Sequence, residues 1–213
     1  MMTLQQLLNF PAAPEVALLF MTCVVLLLEL FVKQKNSLLT YTASQLSLLI
    51  SLVLVSHLYR IPAQLLFHQH YIWDLVAYFI KLSILFFSIF AFVYARDALK
   101  HLGINSGEYY LLGLFSILGM LVLTSANSLL TLYLGLELLS FPLYALVALQ
   151  RKPSDAAEAA MKYFILGALA SGLFLYGLSL LYGATHSLII PTIYLVFLLG
   201  GLSSFFLTTG LVF

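Results

Sequence analysis

The chain has 213 residues, 63% of them hydrophobic and only 8% charged, with a net charge of +1 and a mean hydropathy of +1.08. An ordinary soluble domain is about a quarter charged, and a soluble fold this poor in charge would expose large apolar areas to water. The composition excludes a soluble enzyme, and the near-neutral charge gives no reason to expect nucleic acid as a partner. Membrane-spanning strands need short alternating segments around a polar interior, whereas the apolar runs here are long, with Leu on every face. The expected fold class is an all-α integral membrane protein.

Six full spans and the start of a seventh can be drawn in chain order, as one transmembrane domain over residues 1–213. The first covers 14–32 and closes on Lys33 and Lys35; the second covers 38–59 and closes on Arg60 and Pro62. The third covers 71–94, ahead of Arg96, Asp97 and Lys100. The fourth and fifth, 109–124 and 128–149, are joined by so short a link that they must be antiparallel neighbours, with Asn127 or Ser128 as the cap of the fifth. The sixth, 156–182, starts beside Asp155 and Glu158, where the helix dipole favours acidic groups. The seventh, 193–213, reaches Phe213 without a polar flank, the pattern expected of a chain cut short or of a fragment of a larger protein.

The loops after spans one, three and five hold Lys33, Lys35, Arg96, Lys100, Arg151 and Lys152, while those after two, four and six hold only Arg60. The positive-inside rule therefore places the odd-numbered loops in the cytoplasm and the N-terminus outside. The first apolar run lacks a basic leader and a cleavage motif, so it reads as a retained helix. No loop is long enough for a nucleotide, flavin or haem domain, and no GxGxxG, Walker or CxxC pattern occurs. Cys23 has no partner in the chain, and His68 and His70 stand without a nearby Cys or carboxylate cluster, so no metal site is expected.

Ionisable groups inside apolar spans are the chemical signal. Glu137 lies near the middle of span five. There it holds a proton in isolation, because a low-polarity surrounding disfavours the charged form, and releases it when water or a cation arrives. Pro142 removes a helix hydrogen bond nearby. The competing reading is a neutral Glu137 that only packs helices. Lys81 sits two turns beyond Asp74; it either pairs with a carboxylate of another helix or acts as a tether, and Asp74 reads as an interfacial cap. Lys162 is four residues after Glu158, a favourable spacing for a helix pair. It either snorkels to water or takes part in proton uptake and tunes Glu137. Glu29 reads as an i,i+4 partner of Lys33, Glu15 as a cap of helix one, and His57, His101 and His186 as polar surface groups. The small residues from Gly167 to Gly172, with Gly177, read as a helix-packing face.

Three runs carry a resemblance: EYYLLGLFSILGM from Glu108 to Met120, LYLGLELLSFPLY from Leu132 to Tyr144, and MKYFILGALASGLFLYG from Met161 to Gly177, with LYGAT from Leu181 to Thr185. The chain resembles the N-subunit family of bacterial proton-translocating NADH–quinone oxidoreductase, respiratory complex I. The resemblance implies the N-terminal part of an antiporter-like bundle of two inverted repeats that form proton half-channels. It also implies that Glu137 pairs with a lysine that follows Phe213. Glu137, Lys162 and Lys81 are then expected on the proton path or tuning it. No cofactor is expected on this chain, with NADH, FMN, iron–sulfur clusters and quinone handled by other subunits. The implied partners are the other membrane-arm subunits and the lipid of the bacterial inner membrane, and the implied class is a translocase. The alternatives are a subunit of a multisubunit cation–proton antiporter, or a structural membrane subunit without proton traffic.

Overall fold

The computed structural model describes residues 10–31, 37–102, 106–149 and 154–198, with 209, 210 and 212. Lys33, Lys35, Arg151, Lys152 and most of the region after residue 198 lie outside the described residues. Among the described residues, seven α-helices with given bounds follow in order: α1 (Ala13–Phe31), α2 (Ser37–His57), α3 (Leu75–Leu102), α4 (Ser106–Thr124), α5 (Leu129–Val147), α6 (Ser154–Thr185) and α7 (Ile190–Leu198). Among the described residues, six helices are long and apolar enough to cross a membrane. The chain is a multi-pass, all-α membrane bundle.

Span three begins later than the sequence suggests. Residues 71–74 are not helical: Tyr71–Trp73 form strand β2, paired antiparallel with β1 (Gln64–Leu66). Asp74 then starts α3 by accepting a hydrogen bond from the Ala77 N–H at 2.7 Å, as its reading as a cap implied. An aromatic, β-branched run such as Tyr-Ile-Trp suits a pleated ladder as well as a helix. The other end of α3 runs on through Arg96, Asp97 and Lys100.

Helices α1 to α4 enclose the core, which includes Leu18, Val25, Leu48, Val55, Leu85, Leu114 and Leu121. A polar seam crosses it. Thr22, Thr40, Ser44, Ser47 and Ser51 are all buried. The hydroxyls of Thr22, Ser44 and Ser51 donate to the carbonyl four residues back, and that of Ser47 to the Ser44 carbonyl. Where no water is at hand every donor needs an internal acceptor, and such short side chains also let helices approach closely.

The connections at one end of the bundle are stitched together. Ile72 N–H donates to Ser125 O, Asn127 N–H to His70 O, Leu129 N–H to Leu188 O and Ile190 N–H to Asn127 O, at 2.9 to 3.1 Å. These bonds join the α2–α3, α4–α5 and α6–α7 connections into a plate. Its hairpin turn holds three consecutive left-handed residues, Phe67, His68 and Gln69, a costly geometry for residues with a Cβ. The His70 N–H closes the turn on Phe67 O at 3.1 Å, and the Asn127 side-chain amide donates to Gln69 O at 2.7 Å.

Candidate functional site

Helix α5 is fixed at its start and along one side. Ser128 caps it, accepting from the Thr131 N–H at 3.2 Å. Two glycines bring α4 and α5 almost backbone to backbone: a Cβ on Gly119 would lie 2.5 Å from Leu139 N, and one on Gly135 would lie 3.0 Å from Leu123 Cα. Ser116 adds a hydroxyl donation to Leu139 O at 3.2 Å. Pro142 is buried inside the helix. It has no N–H, so the ladder lacks its bond to the Leu138 carbonyl, beside Glu137.

Glu137 occupies the side of α5 that faces α6. It lines a groove of about 280 Å³ with Tyr133, Phe141, Tyr144, Phe164 and Ser171. Tyr133, one turn earlier, lines the same groove. The groove walls are aromatic contacts across the interface: Tyr133 stacks on Phe174 at 6.3 Å, and Tyr144 meets Tyr163 and Phe164 edge-on at 4.9 and 5.7 Å. Gly167 makes room for Tyr144, since a Cβ there would be 2.0 Å from the phenol oxygen. Gly172 meets nothing within 4 Å, so the small-residue face of α6 is used for packing over only part of its length. A carboxyl group in a groove walled by aromatic rings is of a kind that can exchange a proton with a base or water within reach.

Lys162 is elsewhere. Its ammonium pairs with Glu158 at 2.5 Å, one turn back on α6, and both side chains are largely exposed. It is not among the residues lining the Glu137 groove. The geometry gives Lys162 its pair with Glu158 and does not bring it to Glu137.

Lys81 is fully buried and lies far from α5 in sequence, on α3. Its ammonium donates to Glu15 Oε1 on α1 and to the Tyr71 hydroxyl at 2.8 Å. It also lies over the rings of Tyr71 and Trp73, at 4.8 and 5.0 Å from their centroids. Tyr71 in turn donates to Pro11 O at 3.0 Å and is within 3.1 Å of Glu15 Oε1. Burial pushes the Tyr71 phenol above its ordinary range, and the Glu15 charge pushes it further. Among the described residues, Glu15 Oε2 is buried without a hydrogen-bond partner. The acidic residue read as a helix cap is therefore the buried counter-charge of Lys81. A seven-residue spacing puts Glu15, Thr22 and Glu29 on one face of α1, and that face turns inward.

Glu29 likewise faces the bundle. It accepts from the Thr40 hydroxyl at 2.5 Å and lies so close to Gly107 that a Cβ there would be 2.0 Å from its Oε1. Lys33, its expected partner, lies outside the described residues. His70 sits in the plate, with Nδ1 2.8 Å from Ser128 Oγ. His57, His101 and His186 are exposed. Among the described residues, no group of three or more His, Cys, Asp or Glu is placed to hold a metal ion.

Comparison with known proteins places these features in a setting. Residues 126–213 match the family described as NADH:quinone oxidoreductase/Mrp antiporter, TM. The NADH-quinone oxidoreductase subunit N of Thioalkalivibrio sulfidiphilus is 46% identical over 178 residues, 84% of this chain and 37% of that protein. The subunit N of Nitrosomonas europaea is 43% identical over 203 residues, 95% of this chain and 42% of that one. Among solved structures, a chain of respiratory complex I from Thermus thermophilus superposes with a TM-score of 0.69 at 31% identity, covering 93% of this chain and 43% of that chain. A chain of an archaeal membrane-bound sulfane sulfur reductase shares the fold, with a TM-score of 0.76 at 22% identity over 95% of this chain and 42% of that one. The chain spans about two fifths of the length of the curated relatives it matches.

Proposed function

We propose that this chain, which belongs to the NADH:quinone oxidoreductase/Mrp antiporter family of membrane subunits, acts in the membrane arm of a bacterial NADH–quinone oxidoreductase and carries protons by way of Glu137. The observation that carries the reading is the placement of Glu137: a carboxyl group in the middle of a membrane-spanning helix, in an aromatic groove that it shares with Tyr133. An ionisable group at that depth is costly unless it is used.

The division of labour follows from the chemistry present. The ring and aliphatic walls keep the groove apolar, so the Glu137 carboxyl feels a charge that enters the groove more strongly than it would in water. Tyr133 sets a phenol in the same groove, one turn from the carboxyl group. The Leu138 carbonyl, left without the N–H that Pro142 lacks, offers an acceptor for water next to it. Lys162 and Glu158 form the water-facing end of α6, and Lys81 works apart from the groove. Electron transfer from NADH to quinone, with its flavin and iron–sulfur chemistry, belongs to other subunits of the same assembly, which is also the source of the partners.

The membrane is the bacterial inner membrane, with the N-terminus and the plate outside. Two observations support that orientation. The plate gathers the even-numbered connections and Pro11 at one end, while Arg96 and Lys100 lie at the far end of α3.

The test is quinone-coupled proton pumping in membranes that carry the whole complex with this chain, wild type against Glu137→Gln, with electron transfer recorded alongside. The expected result is a loss of most pumping with assembly and electron transfer retained. Unchanged pumping in an assembled complex removes Glu137 from the path and leaves a structural subunit. A sodium requirement for the wild-type signal would instead favour a cation–proton antiporter.

A further inference from the structure

The cluster of Glu15, Tyr71 and Lys81 touches none of the groove around Glu137, yet it is the most deeply buried charge in the described chain. We infer that it is a fixed clamp that sets the position of α5, and through α5 of Glu137, by way of the outer plate. Lys81, Glu15 and Tyr71 are positioning residues and do not carry protons. The inference rests on the reading of Glu137 given above.

The contacts form an unbroken line. Lys81 on α3 holds Glu15 on α1 and the Tyr71 hydroxyl on β2. Tyr71 is bridged to Ala126, and its neighbour Ile72 donates to Ser125 O at 2.9 Å. His70, one residue earlier, accepts from the Asn127 N–H at 3.1 Å and places Nδ1 2.8 Å from Ser128 Oγ. Ser128 Oγ caps α5 through the Thr131 N–H. A displacement of β2 is therefore passed to the first turn of the helix that holds Glu137, by way of both its connection and its cap.

The same geometry argues against a carrier. The Lys81 side chain is 0% exposed and that of Glu15 8%. The ammonium is engaged with an opposite charge, a hydroxyl and two ring faces, and each favours the cation. Glu15 stands in the first turn of α1, where the helix dipole favours the anion. The upward-shifted Tyr71 phenol keeps its proton at physiological pH, so its part is to donate a hydrogen bond. Lys81, Glu15 and Tyr71 are thus tied to one another across α1, α3 and β2, an arrangement that fixes position.

The experiment uses the complete complex in native membranes and compares Tyr71→Phe, Lys81→Met and Glu137→Gln with wild type. Tyr71→Phe removes one hydroxyl and keeps the ring, so it tests the line even where Lys81→Met fails to assemble. Two quantities are read: amide hydrogen exchange over residues 125–132, and the pH dependence of protons pumped per electron. The titratable groups lining the groove are Glu137, Tyr133 and Tyr144, so a moved α5 appears as a shifted pH profile. The expected result for Tyr71→Phe is exchange over 125–132 faster by roughly two- to tenfold, the factor a single hydrogen bond is worth, together with a shifted midpoint and intact electron transfer. Unchanged exchange overturns the clamp. Faster exchange with an unshifted profile reduces the cluster to a structural brace and overturns its link to Glu137. Abolished pumping in an assembled Lys81→Met complex, beside an unaltered Tyr71→Phe, would make Lys81 a carrier and overturn the inference. Normal pumping by Glu137→Gln sinks the reading of Glu137 itself, while the exchange result separately decides the clamp.

Discussion

The contact between α4 and α5 predicts a graded response to the smallest possible side chain. A Cβ on Gly119 would meet Leu139 N at 2.5 Å and Leu138 C at 2.8 Å, both backbone atoms that cannot rotate away. To regain an ordinary carbon contact the helices must part by about 1 Å. Gly119→Ala is thus an overpacking change, of a kind that costs about 1–3 kcal/mol, partly offset by the ~1 kcal/mol by which alanine favours a helix over glycine. Gly135→Ala meets Leu123 at 3.0 Å and needs about half that retreat, so it should come out near neutral. Gly183→Ala meets nothing within 4 Å and should be neutral or slightly stabilising. The assay is equilibrium unfolding of the purified chain or complex in mild detergent, with the three variants in parallel. The expected order of stability is Gly183→Ala above Gly135→Ala above Gly119→Ala. An equal loss at Gly183 and Gly119 would refute the reasoning, because propensity and local chemistry are the same at both and only the neighbour differs. Since Leu139 follows Glu137 by half a turn, Gly119→Ala should also lower pumping in proportion to the stability it removes.

Three further outcomes follow. Lys81→Met alone leaves Glu15 as an uncompensated buried charge and should cost about 3–5 kcal/mol; the double variant with Glu15→Gln should recover part of that loss in the same unfolding assay. Ser128→Ala removes the cap of α5 and should cost about 1 kcal/mol, visible as faster amide exchange at Thr131. Lys162→Ala breaks an exposed pair and should leave stability unchanged within error, since such pairs contribute little. A large effect on pumping with stability intact would return Lys162 to the proton path.

The spans stood out because the bilayer imposes a length and an apolar composition on each helix; each described helix overlaps the span expected for it, although α3 lies at Leu75–Leu102 against an expected 71–94. Asp74 and Ser128 were legible because caps are local: donor and acceptor lie within three residues. Glu137 stood out because it is charged within an apolar run. What stayed hidden is non-local. Nothing near Glu15 announces that its partner is Lys81, 66 residues on, although the 15–22–29 spacing on α1 was the available hint of an inward polar face. The plate was hidden for the same reason. Its bonds join residues 70, 127 and 188, and no pattern of one segment encodes a ladder shared by three connections. The start of α3 was misplaced because aromatic residues at a membrane boundary suit a strand and a helix equally.

The plate also orders the making of the molecule. Its bonds draw on the connections around residues 70, 127 and 188, which leave the ribosome far apart in time. At about 5–20 residues per second, His70 waits on the order of 10 s for Leu188 to be synthesised. Through that interval α5 is in the membrane without the Leu129 N–H to Leu188 O bond, and the hairpin with its three left-handed residues has only local support. The plate therefore closes late, and the nascent chain is open there to the insertion machinery and to proteases until α6 has crossed the membrane and the α6–α7 turn has docked.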